Sequence, residues 1–341
     1  MAAVNKAKPN VISWNINGMK SKKDRFDILM KNKQFDIVLL QETKLGEKKK
    51  VEDVLAGMNS MEIRSESEEG QSDLENEYEE GQSESENEDE EEDLTAGKKR
   101  CSGSKEGQSE SEYEVKKQSK EEDIEEEVYV IKDLTTHQTY QGPNKIQQRI
   151  MYTANLHSRS RGVAILVNKQ HKCLKAYSEY GDFAWVYIEI DDQKYTFVSV
   201  YYHRDERDLM SRIHQSFLTH EPQWTKSKLV IGGDFNTTLV PSVDLEKRKE
   251  NQEHTPRRVK MDKFIRDVKL EGVKLIDVWR RKNGPKKQFT YSCKRHISRL
   301  DYVFMLERDY QYVQTCEIPN EVEYTMSDHY PVVLTMQFKN E

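Results

Sequence analysis

The sequence predicts an α/β fold in which mixed β-sheets pack together and are covered by helices. Two observations predict it: short apolar runs of strand length recur along the chain, and amphipathic helical patterns separate some of them. Strands that alternate with helices, but also follow one another directly, indicate mixed sheets rather than one parallel sheet. The sequence has no Gly-x-Gly-x-x-Gly motif, which argues against a dinucleotide-binding fold.

The elements follow from these patterns in chain order. An amphipathic helix is predicted at Lys22–Lys33, between buried strands at Val11–Asn15 and Phe35–Gln41. A second helix is predicted from residue 205 to 219, because Leu209, Ile213 and Phe217 recur every four residues, and a third around 258–270. The remaining strands are predicted at Val128–Lys132, Gly162–Val167, Ala184–Ile190, Tyr195–Tyr201, Lys228–Gly232, Gln288–Tyr291, Leu300–Met305 and Val332–Phe338.

Residues 62–127 differ from the rest of the chain in composition. The chain has a net charge of −7, but this segment holds 27 acidic and 8 basic residues, a charge of −19, and the other 275 residues carry +12. It has almost no aliphatic side chains, so it cannot bury enough apolar surface to offset the entropy of ordering. We therefore predict a disordered insertion in one α/β domain formed by residues 1–61 and 128–341.

Several roles for the acidic insertion are open. It is either a solvated loop without a dedicated function, an electrostatic mimic that competes with DNA, a chromatin (histone) contact, or a kinase substrate at serines such as Ser65 and Ser83. The cluster Lys98–Arg100 is a short candidate for a nuclear localisation signal.

The sequence shows no sign of secretion or membrane insertion. The N-terminal residues lack an apolar signal region, and no stretch approaches the roughly 18 apolar residues of a spanning helix. The four cysteines are widely spaced without a Cys-x-x-Cys pair, as is typical of reduced thiols inside a cell. We expect a soluble, nuclear or nuclear and cytoplasmic protein, which is monomeric.

Polar residues interrupt apolar strands at five places. Asn15 ends one run and Glu42 follows another, Asp234 and Asn236 follow Leu229–Gly233, Asp301 begins an apolar run, and the fifth place has Asp328 and His329 before the last strand. A single such residue is commonly a turn or a cap. Because a buried polar group without a partner costs several kcal/mol (~2–7), a set of five implies that the groups satisfy each other or a cation.

The residue types favour one kind of chemistry. Carboxylates and amides without a cysteine or histidine ligand set suit Mg²⁺, or Mn²⁺, better than zinc. A hard cation beside a His–Asp pair is what phosphodiester hydrolysis needs, because it offsets charge on the transition state while a carboxylate deprotonates water.

Five motifs in this order resemble the endonuclease/exonuclease/phosphatase family. They are Trp-Asn-Ile-Asn-Gly at 14–18, Gln-Glu-Thr at 41–43, Gly-Asp-Phe-Asn at 233–236, Arg-Leu-Asp-Tyr at 299–302 and Ser-Asp-His at 327–329. The resemblance implies a four-layer α/β sandwich, with two mixed sheets flanked by helices and the catalytic groups at one edge of the sheets.

The resemblance also implies roles for individual residues. Glu42 matches the principal Mg²⁺ ligand, Asp234 the residue that activates water, and His329, oriented by Asp301, the imidazole at the scissile phosphate. The implied catalytic residues are Asp234, His329, Asp301, Asn236 and Tyr201, although Tyr201 is equally compatible with a core or loop tyrosine. The implied substrate contacts are Asn15, Asn17, Arg204 and Thr290, and the implied metal ligands are Glu42, Asp328, Asn15, Asp234 and Asn236.

Charge and two departures from one sequence pattern indicate the branch of the family. A body charge of +12 favours double-stranded DNA over inositol phosphates or lipids. Abasic-site enzymes of the exonuclease III type carry Tyr-x-Pro-Asn where residues 201–204 are Tyr-Tyr-His-Arg, and a tryptophan-bearing segment before Arg299, which is absent here. The sequence therefore resembles LINE-type retrotransposon endonucleases more closely.

Three functions stay open at this point. We expect a nicking endonuclease of retrotransposon type, with an abasic-site endonuclease or 3′–5′ exonuclease as the alternative. The third hypothesis is a DNA- or chromatin-binding protein with little nuclease activity. The chain ends soon after residue 329 without room for a reverse transcriptase, so we expect an isolated domain, a truncated element or a host gene derived from one.

Overall fold

Two large β-sheets pack together in the described part of the chain. The computed structural model describes residues 9–45, 128–133, 138–141, 147–154 and 161–337, except for residues 34, 180, 204–207, 221–223, 248–254, 271 and 294–295. The acidic insertion predicted at 62–127 lies outside these residues. Within them, no helix has the length and apolar character needed to cross a membrane.

The strands and helices of the described chain have the following bounds. The strands are β1 (Asn10–Asn15), β2 (Ile37–Gln41), β3 (Val128–Asp133), β4 (Gln138–Gln141), β5 (Gln147–Ala154), β6 (Val163–Asn168), β7 (Lys172–Glu179), β8 (Phe183–Ile190), β9 (Gln193–Tyr201), β10 (Lys228–Asp234), β11 (Lys269–Leu270), β12 (Val273–Asp277), β13 (Tyr291–Cys293), β14 (His296–Ser298), β15 (Asp301–Leu306), β16 (Val313–Glu317) and β17 (Val332–Met336). The helices are α1 (Lys23–Lys33), α2 (Leu209–Thr219), α3 (Pro241–Asp244), α4 (Pro256–Asp267) and α5 (Val278–Asn283), with 3₁₀ turns at Lys20–Lys22, Glu307–Tyr312 and Val322–Tyr324.

Both large sheets are mixed. In the described residues, the first has the strand order β16-β17-β1-β2-β6-β5-β3-β4 and the second has the order β11-β12-β15-β10-β9-β8-β7. Parallel pairs lie among antiparallel strands in both sheets: β1 with β2 and β3 with β5 in the first, and β9 with β10 in the second. The strands β13 and β14 form a separate hairpin.

The buried side chains separate into three cores. Alternate residues of β2 point to opposite faces: Ile37 and Leu39 pack between the two sheets, while Val38 and Leu40 pack under α1. The outer face of the second sheet packs against α2 and α4 through residues such as Ile213. The layer order is therefore helix, sheet, sheet, helix, which confirms the predicted four-layer α/β sandwich.

The two sheets approach each other closely near the ends of β1, β2 and β10. A Cβ atom at Gly232 would lie 2.7 Å from a Leu39 methyl group and 2.8 Å from Ser13, so only glycine fits there. At the same end, the buried amide of Gln41 donates to Ser199 Oγ at 3.0 Å, which ties the sheets together through a polar bond. These contacts fix the relative position of the strand ends.

Most predicted elements are present, and their differences from prediction have physical causes. The predicted strand Gln288–Tyr291 is wrong for its first three residues, because Thr290 bonds to the loop after β14 and pairing begins only at Tyr291. The third helix begins at Pro256 behind the Thr255 cap and ends at Asp267, so Lys269 and Leu270 form a short strand instead. Residues 205–207 of the second predicted helix lie outside the described residues.

Candidate active site

The ends of four strands and the start of a fifth, from both sheets, bring polar side chains to one edge. Asn15 ends β1 opposite Gln41 at the end of the parallel strand β2. Asp234 ends β10 opposite Tyr201 at the end of the parallel strand β9, and Asp301 begins β15 opposite Asp234. Carboxyl ends of parallel strands meet at the same edge, and an antiparallel neighbour begins there.

A buried histidine and a buried aspartate form a pair at this edge. His329 donates from Nδ1 to Asp301 Oδ2 at 2.8 Å, and its Nε2 lies 3.9 Å from Asp234 Oδ2. Trp14 Nε1 donates to the His329 carbonyl at 2.8 Å and so fixes the backbone. Burial lowers the pKa of His329, but the carboxylates of Asp301 and Asp234 more than offset this and raise it to about 10. His329 is therefore an imidazolium at neutral pH.

The carboxylate of Asp234 is held from several sides. It accepts from the Asn236 backbone N at 2.8 Å and from Asn15 Nδ2 at 2.9 Å. Burial and the neighbouring Asp301 raise the pKa of Asp234 to about 7, against the opposing effects of His329 and these hydrogen bonds. This carboxyl group can therefore take up and release a proton near neutral pH.

The carboxylate of Glu42 lies beside Asp234 and shares a donor with it. The same Asn15 amide that binds Asp234 also donates to Glu42 Oε1 at 3.0 Å, and Tyr201 OH donates to that oxygen at 2.8 Å. Burial and the negative charge of Glu42 raise the pKa of Tyr201, so the phenol stays protonated. The outer oxygen, Oε2, lies 3.3 Å from the ammonium of Lys44.

Three further polar side chains are connected to Glu42 through Lys44. Asn17 Nδ2 donates to Asp328 Oδ1 at 3.0 Å, and Lys44 Nζ donates to Asn17 Oδ1 at 2.5 Å. The ammonium of Lys22 donates to the backbone carbonyl oxygens of Ile16 and Asn17, at 2.6 and 2.8 Å. The oxygen atoms Glu42 Oε2 and Asn17 Oδ1 therefore both lie close to the ammonium group of Lys44.

Backbone strain is concentrated at this site. Positive φ in a residue other than glycine costs about 1–3 kcal/mol and is common at functional sites. In the described residues six such angles occur, and two of them form the Asp191–Asp192 turn between β8 and β9. The other four belong to Asn17 (49°), Glu42 (50°), Lys44 (55°) and Asn236 (47°). All four of these residues make the hydrogen bonds described above.

The donor set on the Glu42 side fits a hard divalent cation. The available ligand atoms are all oxygens, as Mg²⁺ and Mn²⁺ prefer, and they come from Glu42, Asp328 and the Asn17 amide. Two of them, Glu42 Oε2 and Asn17 Oδ1, already lie around one cation, the ammonium of Lys44. Asp234, Asp301 and His329 also offer three atoms within 4.8 Å of one another. The Glu42 side consists of oxygen donors alone, as a hard cation prefers, so we favour it.

The structure brings nine of the eleven predicted site residues together. They are Asn15, Asn17, Glu42, Tyr201, Asp234, Asn236, Asp301, Asp328 and His329. Thr290 is fully buried below them, and its Oγ1 accepts the backbone N–H groups of Leu300 and Asp301 at 3.0 and 3.1 Å. Arg204 lies outside the described residues.

Sequence reasoning did not identify three polar residues of the site. Lys44 follows the Gln-Glu-Thr motif directly, and its charge opposite to that of Glu42 was a usable signal. Ser327 belongs to the Ser-Asp-His motif; its Oγ donates to the Asn15 carbonyl at 2.7 Å and accepts from His329 N at 3.3 Å. The role of Lys22 depends on backbone carbonyls, which a sequence pattern does not reveal.

Solved structures with the same fold are found at low sequence identity. The AP endonuclease LMAP from Leishmania major is 12% identical, with a TM-score of 0.56 and coverage of 97% of this chain and 88% of that one. The APE2 catalytic domain from Xenopus laevis is 16% identical, with a TM-score of 0.54 and coverage of 96% and 91%. The 3′ phosphatase NExo from Neisseria, bound to a product DNA hairpin, is 12% identical, with a TM-score of 0.55 and coverage of 97% and 100%.

These likenesses show a shared fold. A comparison with curated protein sequences gave no significant match. The model of the Endonuclease/Exonuclease/phosphatase family, by contrast, matches residues 12–329, a range that begins in β1 and ends at His329. Because the match spans most of the sequence and includes the whole candidate site, the chain belongs to the endonuclease/exonuclease/phosphatase family.

Proposed function

We propose that the protein hydrolyses phosphodiester bonds of double-stranded DNA with a divalent metal ion, and that it nicks undamaged duplex as retrotransposon endonucleases do. The observation that carries this proposal is one connected set of side chains. The His329–Asp301 pair faces Asp234, and Asn15 joins Asp234 to Glu42. The set combines a cationic hydrogen-bond donor, a carboxylate near its pKa and oxygen ligands for a cation.

Each residue has a chemical task in this proposal. Asp234, with its pKa near 7, accepts a proton from the attacking water, which Asn236 helps to orient. The imidazolium of His329 donates from Nε2 to a phosphate oxygen and offsets the charge that develops there. Asp301 keeps the imidazole of His329 protonated and orients its ring through the hydrogen bond to Nδ1. Tyr201 and Asn15 donate hydrogen bonds on the Glu42 side.

The metal ion would be held by Glu42 and Asp328, with the amide oxygen of Asn17 as a neutral ligand. When bound there, Mg²⁺, or Mn²⁺ in its place, supplies positive charge to the phosphate oxygens in the transition state. The nitrogen of Asn15 points at two carboxylates, so we assign Asn15 a positioning role rather than that of a metal ligand.

Charge supports DNA as the substrate. The chain outside residues 62–127 carries +12, and phosphate neutralisation is the main source of affinity for DNA. Basic clusters occur along the chain after Asp234, at 247–249, 257–258, 280–282 and 286–287. A protein of the same fold, the 3′ phosphatase NExo from Neisseria, was solved with a product DNA hairpin bound. Because the proposed substrate is DNA, we also propose a nuclear location for the protein.

The segment before Arg299 supports nicking of intact DNA. Here the segment contains the paired strands β13 (Tyr291–Cys293) and β14 (His296–Ser298) and has no tryptophan. The hairpin lies against the catalytic histidine: the rings of Tyr291 and His329 are 4.8 Å apart, and Ser292 N donates to the Asp328 carbonyl at 3.2 Å. Direct contact of Thr290 with the target strand stays a prediction.

Abasic-site cleavage is the second candidate. It is favoured by the fact that two of the three solved structures described above are AP endonucleases or their catalytic domains. The two functions differ in their need for a lesion, because an abasic-site enzyme requires a sugar without its base.

One experiment separates these functions. Two end-labelled duplexes of the same sequence, one intact and one with a single abasic-site analogue, are incubated with the full-length protein in Mg²⁺ or in EDTA. We expect both duplexes to be nicked at similar rates in Mg²⁺ and neither to be nicked in EDTA. A strong preference for the abasic duplex would replace nicking by repair-type cleavage. Binding of both duplexes without cleavage would support the DNA-binding hypothesis and contradict hydrolysis.

A further inference from the structure

Thr290 lies directly behind the pair formed by His329 and Asp301. It is fully buried, so it has no surface with which to touch DNA in this structure. Its Oγ1 accepts the backbone N–H groups of Leu300 and Asp301, at 3.0 and 3.1 Å, and its carbonyl oxygen accepts the N–H of Tyr330 at 2.6 Å. One residue therefore holds the backbone at Asp301 and also the backbone next to His329.

The two members of the pair come from different sheets. Asp301 begins β15 of the second sheet, whereas His329 precedes β17 of the first sheet. The hydrogen bonds within either sheet cannot fix the position of one side chain relative to the other. The 2.8 Å hydrogen bond between His329 Nδ1 and Asp301 Oδ2 therefore depends on contacts that join the two sheets at this edge.

Thr290 and the strand β13 that follows it make such contacts in both directions. Toward the first sheet, Tyr291 forms an antiparallel bridge with His329, and their rings are 4.8 Å apart. Toward the second sheet, Thr290 N donates to the Ser298 carbonyl at 3.1 Å, and β13 pairs with β14 just before Asp301. This segment thus lies between the chain that carries His329 and the chain that leads into Asp301.

The hydroxyl group is the part of Thr290 that acts on Asp301. A hydroxyl oxygen has two lone pairs and can accept both N–H groups. Valine has nearly the same shape but no acceptor, so Thr290→Val would deprive both N–H groups of this partner, and the backbone would shift to find another. Serine keeps the oxygen and loses only a methyl group. These two substitutions therefore separate the hydrogen bonds of Thr290 from its packing.

We propose that Thr290 is a positioning residue for hydrolysis: its hydroxyl group holds Asp301 and its carbonyl group holds the chain beside His329, so that the imidazole is oriented toward the phosphate. The inference rests on the proposed function. It gives Thr290 a task that a residue without exposed surface can fill. Direct contact with DNA would change KM, whereas positioning of the pair changes kcat.

The first test is steady-state nicking of a duplex in Mg²⁺. Because displacement of a catalytic group by about 1 Å can cost about 10²-fold in rate, we expect Thr290→Val to lower kcat by roughly 10-fold to 10²-fold. KM should stay within about twofold of the wild-type value, since a residue that does not touch DNA adds nothing to ground-state binding. Thr290→Ser should restore most of the wild-type kcat.

Thr196→Val is the matched control. Thr196 is also a fully buried threonine, and its hydroxyl shares a hydrogen bond of 2.7 Å with Ser227 near the start of β9, away from the site. We expect Thr196→Val and Thr290→Val to lower the melting temperature by similar amounts, about 3 °C. Thr196→Val should nevertheless keep the wild-type kcat.

The second test does not require activity. The proton between His329 Nδ1 and Asp301 lies in a charge-assisted hydrogen bond, so it should give a downfield imidazole N–H resonance. The resonance is recorded in EDTA on full-length protein labelled with ¹⁵N-histidine and is assigned by its loss in His329→Gln. We expect it to be retained in Thr290→Ser and Thr196→Val, and to move upfield or disappear in Thr290→Val.

Several outcomes would overturn the inference. It fails if Thr290→Val leaves the His329 resonance unchanged, or if Thr290→Val raises KM with kcat unchanged, which would place Thr290 in contact with DNA. It also fails if Thr196→Val lowers kcat as much as Thr290→Val does.

A second variant covers the case in which Thr290→Val does not fold, as judged by circular dichroism. Thr290→Cys replaces the oxygen by a weak acceptor, so it must lower kcat and shift the His329 resonance in the same directions; a Thr290→Cys variant that matches wild type in both would contradict the inference. Wild-type protein that nicks no duplex in Mg²⁺ would refute the proposed function itself, whereas normal nicking by Thr290→Val would refute only this role of Thr290.

Discussion

At the scale of single residues, Asn15 is the centre of the candidate site. Its amide nitrogen donates to both Asp234 and Glu42, and its Oδ1 accepts from Asn17 N at 3.0 Å. With both ends of the amide bonded, Asn15 sets the distance between Asp234, the proposed general base, and Glu42, the proposed metal ligand. Asn15 is the last residue of the apolar strand β1. This position explains why a buried amide with its hydrogen bonds satisfied comes after a run of apolar residues.

The pH dependence of nicking should report His329 and Asp234. Activity should rise as Asp234 loses its proton, near pH 7 before any effect of the metal, and fall as His329 loses its own near pH 10. Asp301→Asn removes the charge that raises both pKa values, so both limbs of kcat/KM should move to lower pH, with a rate loss of roughly 10²-fold or more. An unmoved basic limb would contradict the pairing of His329 with Asp301.

The ammonium of Lys44 should oppose metal binding. Lys44 Nζ lies 3.3 Å from Glu42 Oε2, so a divalent ion there meets a like charge. We expect Lys44→Met to bind Mn²⁺ about tenfold more tightly, as roughly 1.4 kcal/mol of repulsion is removed, in titrations followed by electron paramagnetic resonance. Lys194→Met, at an exposed lysine near the start of β9, is the control. Equal Mn²⁺ affinity in wild type and both variants would place the metal away from Glu42.

At the scale of elements, β10 is the strand on which the site depends most. Its run Leu-Val-Ile-Gly-Gly-Asp crosses the second sheet between β9 and β15 and delivers Asp234 to the edge. The two glycines let the strand lie close to its neighbours. A Cβ at Gly233 would stand 2.1 Å from the carbonyl oxygen of Val200 in β9, which is backbone and has no rotamer to change.

Substitution of Gly233 should therefore damage both stability and the site. We expect Gly233→Ala to lower the free energy of unfolding by about 3 kcal/mol, measured by denaturant titration, and to lower nicking as Asp234 shifts. Gly272→Ala is the comparison: its φ is +77° and nothing lies within 4 Å of the added Cβ, so only the strain of about 1–2 kcal/mol should appear. Equal losses in the two variants would contradict the close approach of β9 and β10.

The elements that the sequence predicted share a physical property. Strands such as β1, β2 and β10 are buried on both faces, so they are continuous apolar runs that end in a conspicuous polar residue. β7 was missed because it lies at the edge of its sheet and mixes lysines with half-buried residues. The same limit applies within the site: the motifs contain Asn15 and Asp234, but the bonds of Lys22 to two backbone carbonyls depend on the fold.

At the scale of the whole molecule, the chain combines charges of opposite sign. The acidic segment 62–127 carries −19 and the remaining residues +12. If the segment competes with DNA for basic residues, its removal should raise affinity for DNA at low salt. A monomeric state and contacts of the insertion with chromatin or kinases stay predictions.

Deletion of residues 62–127 tests this competition. We expect the shortened protein to bind duplex DNA more tightly than the full chain and with a steeper salt slope. Without the acidic segment, lysine and arginine side chains should neutralise more DNA phosphates. Circular dichroism and thermal melting would show whether the rest of the domain is intact. Affinity at low salt equal to that of the full chain would leave the insertion without a shielding role.

The most direct test of hydrolysis at this site is nicking of supercoiled plasmid by the full-length protein in Mg²⁺. We expect conversion to open circles by wild type and a loss of roughly 10²-fold or more in Glu42→Ala and His329→Ala. Full activity is expected in Glu189→Gln, because Glu189 lies opposite Lys194 in the β8–β9 register, at the end of β9 far from the site. Nicking that persists unchanged in both Glu42→Ala and His329→Ala would show that the site described here is not the active site.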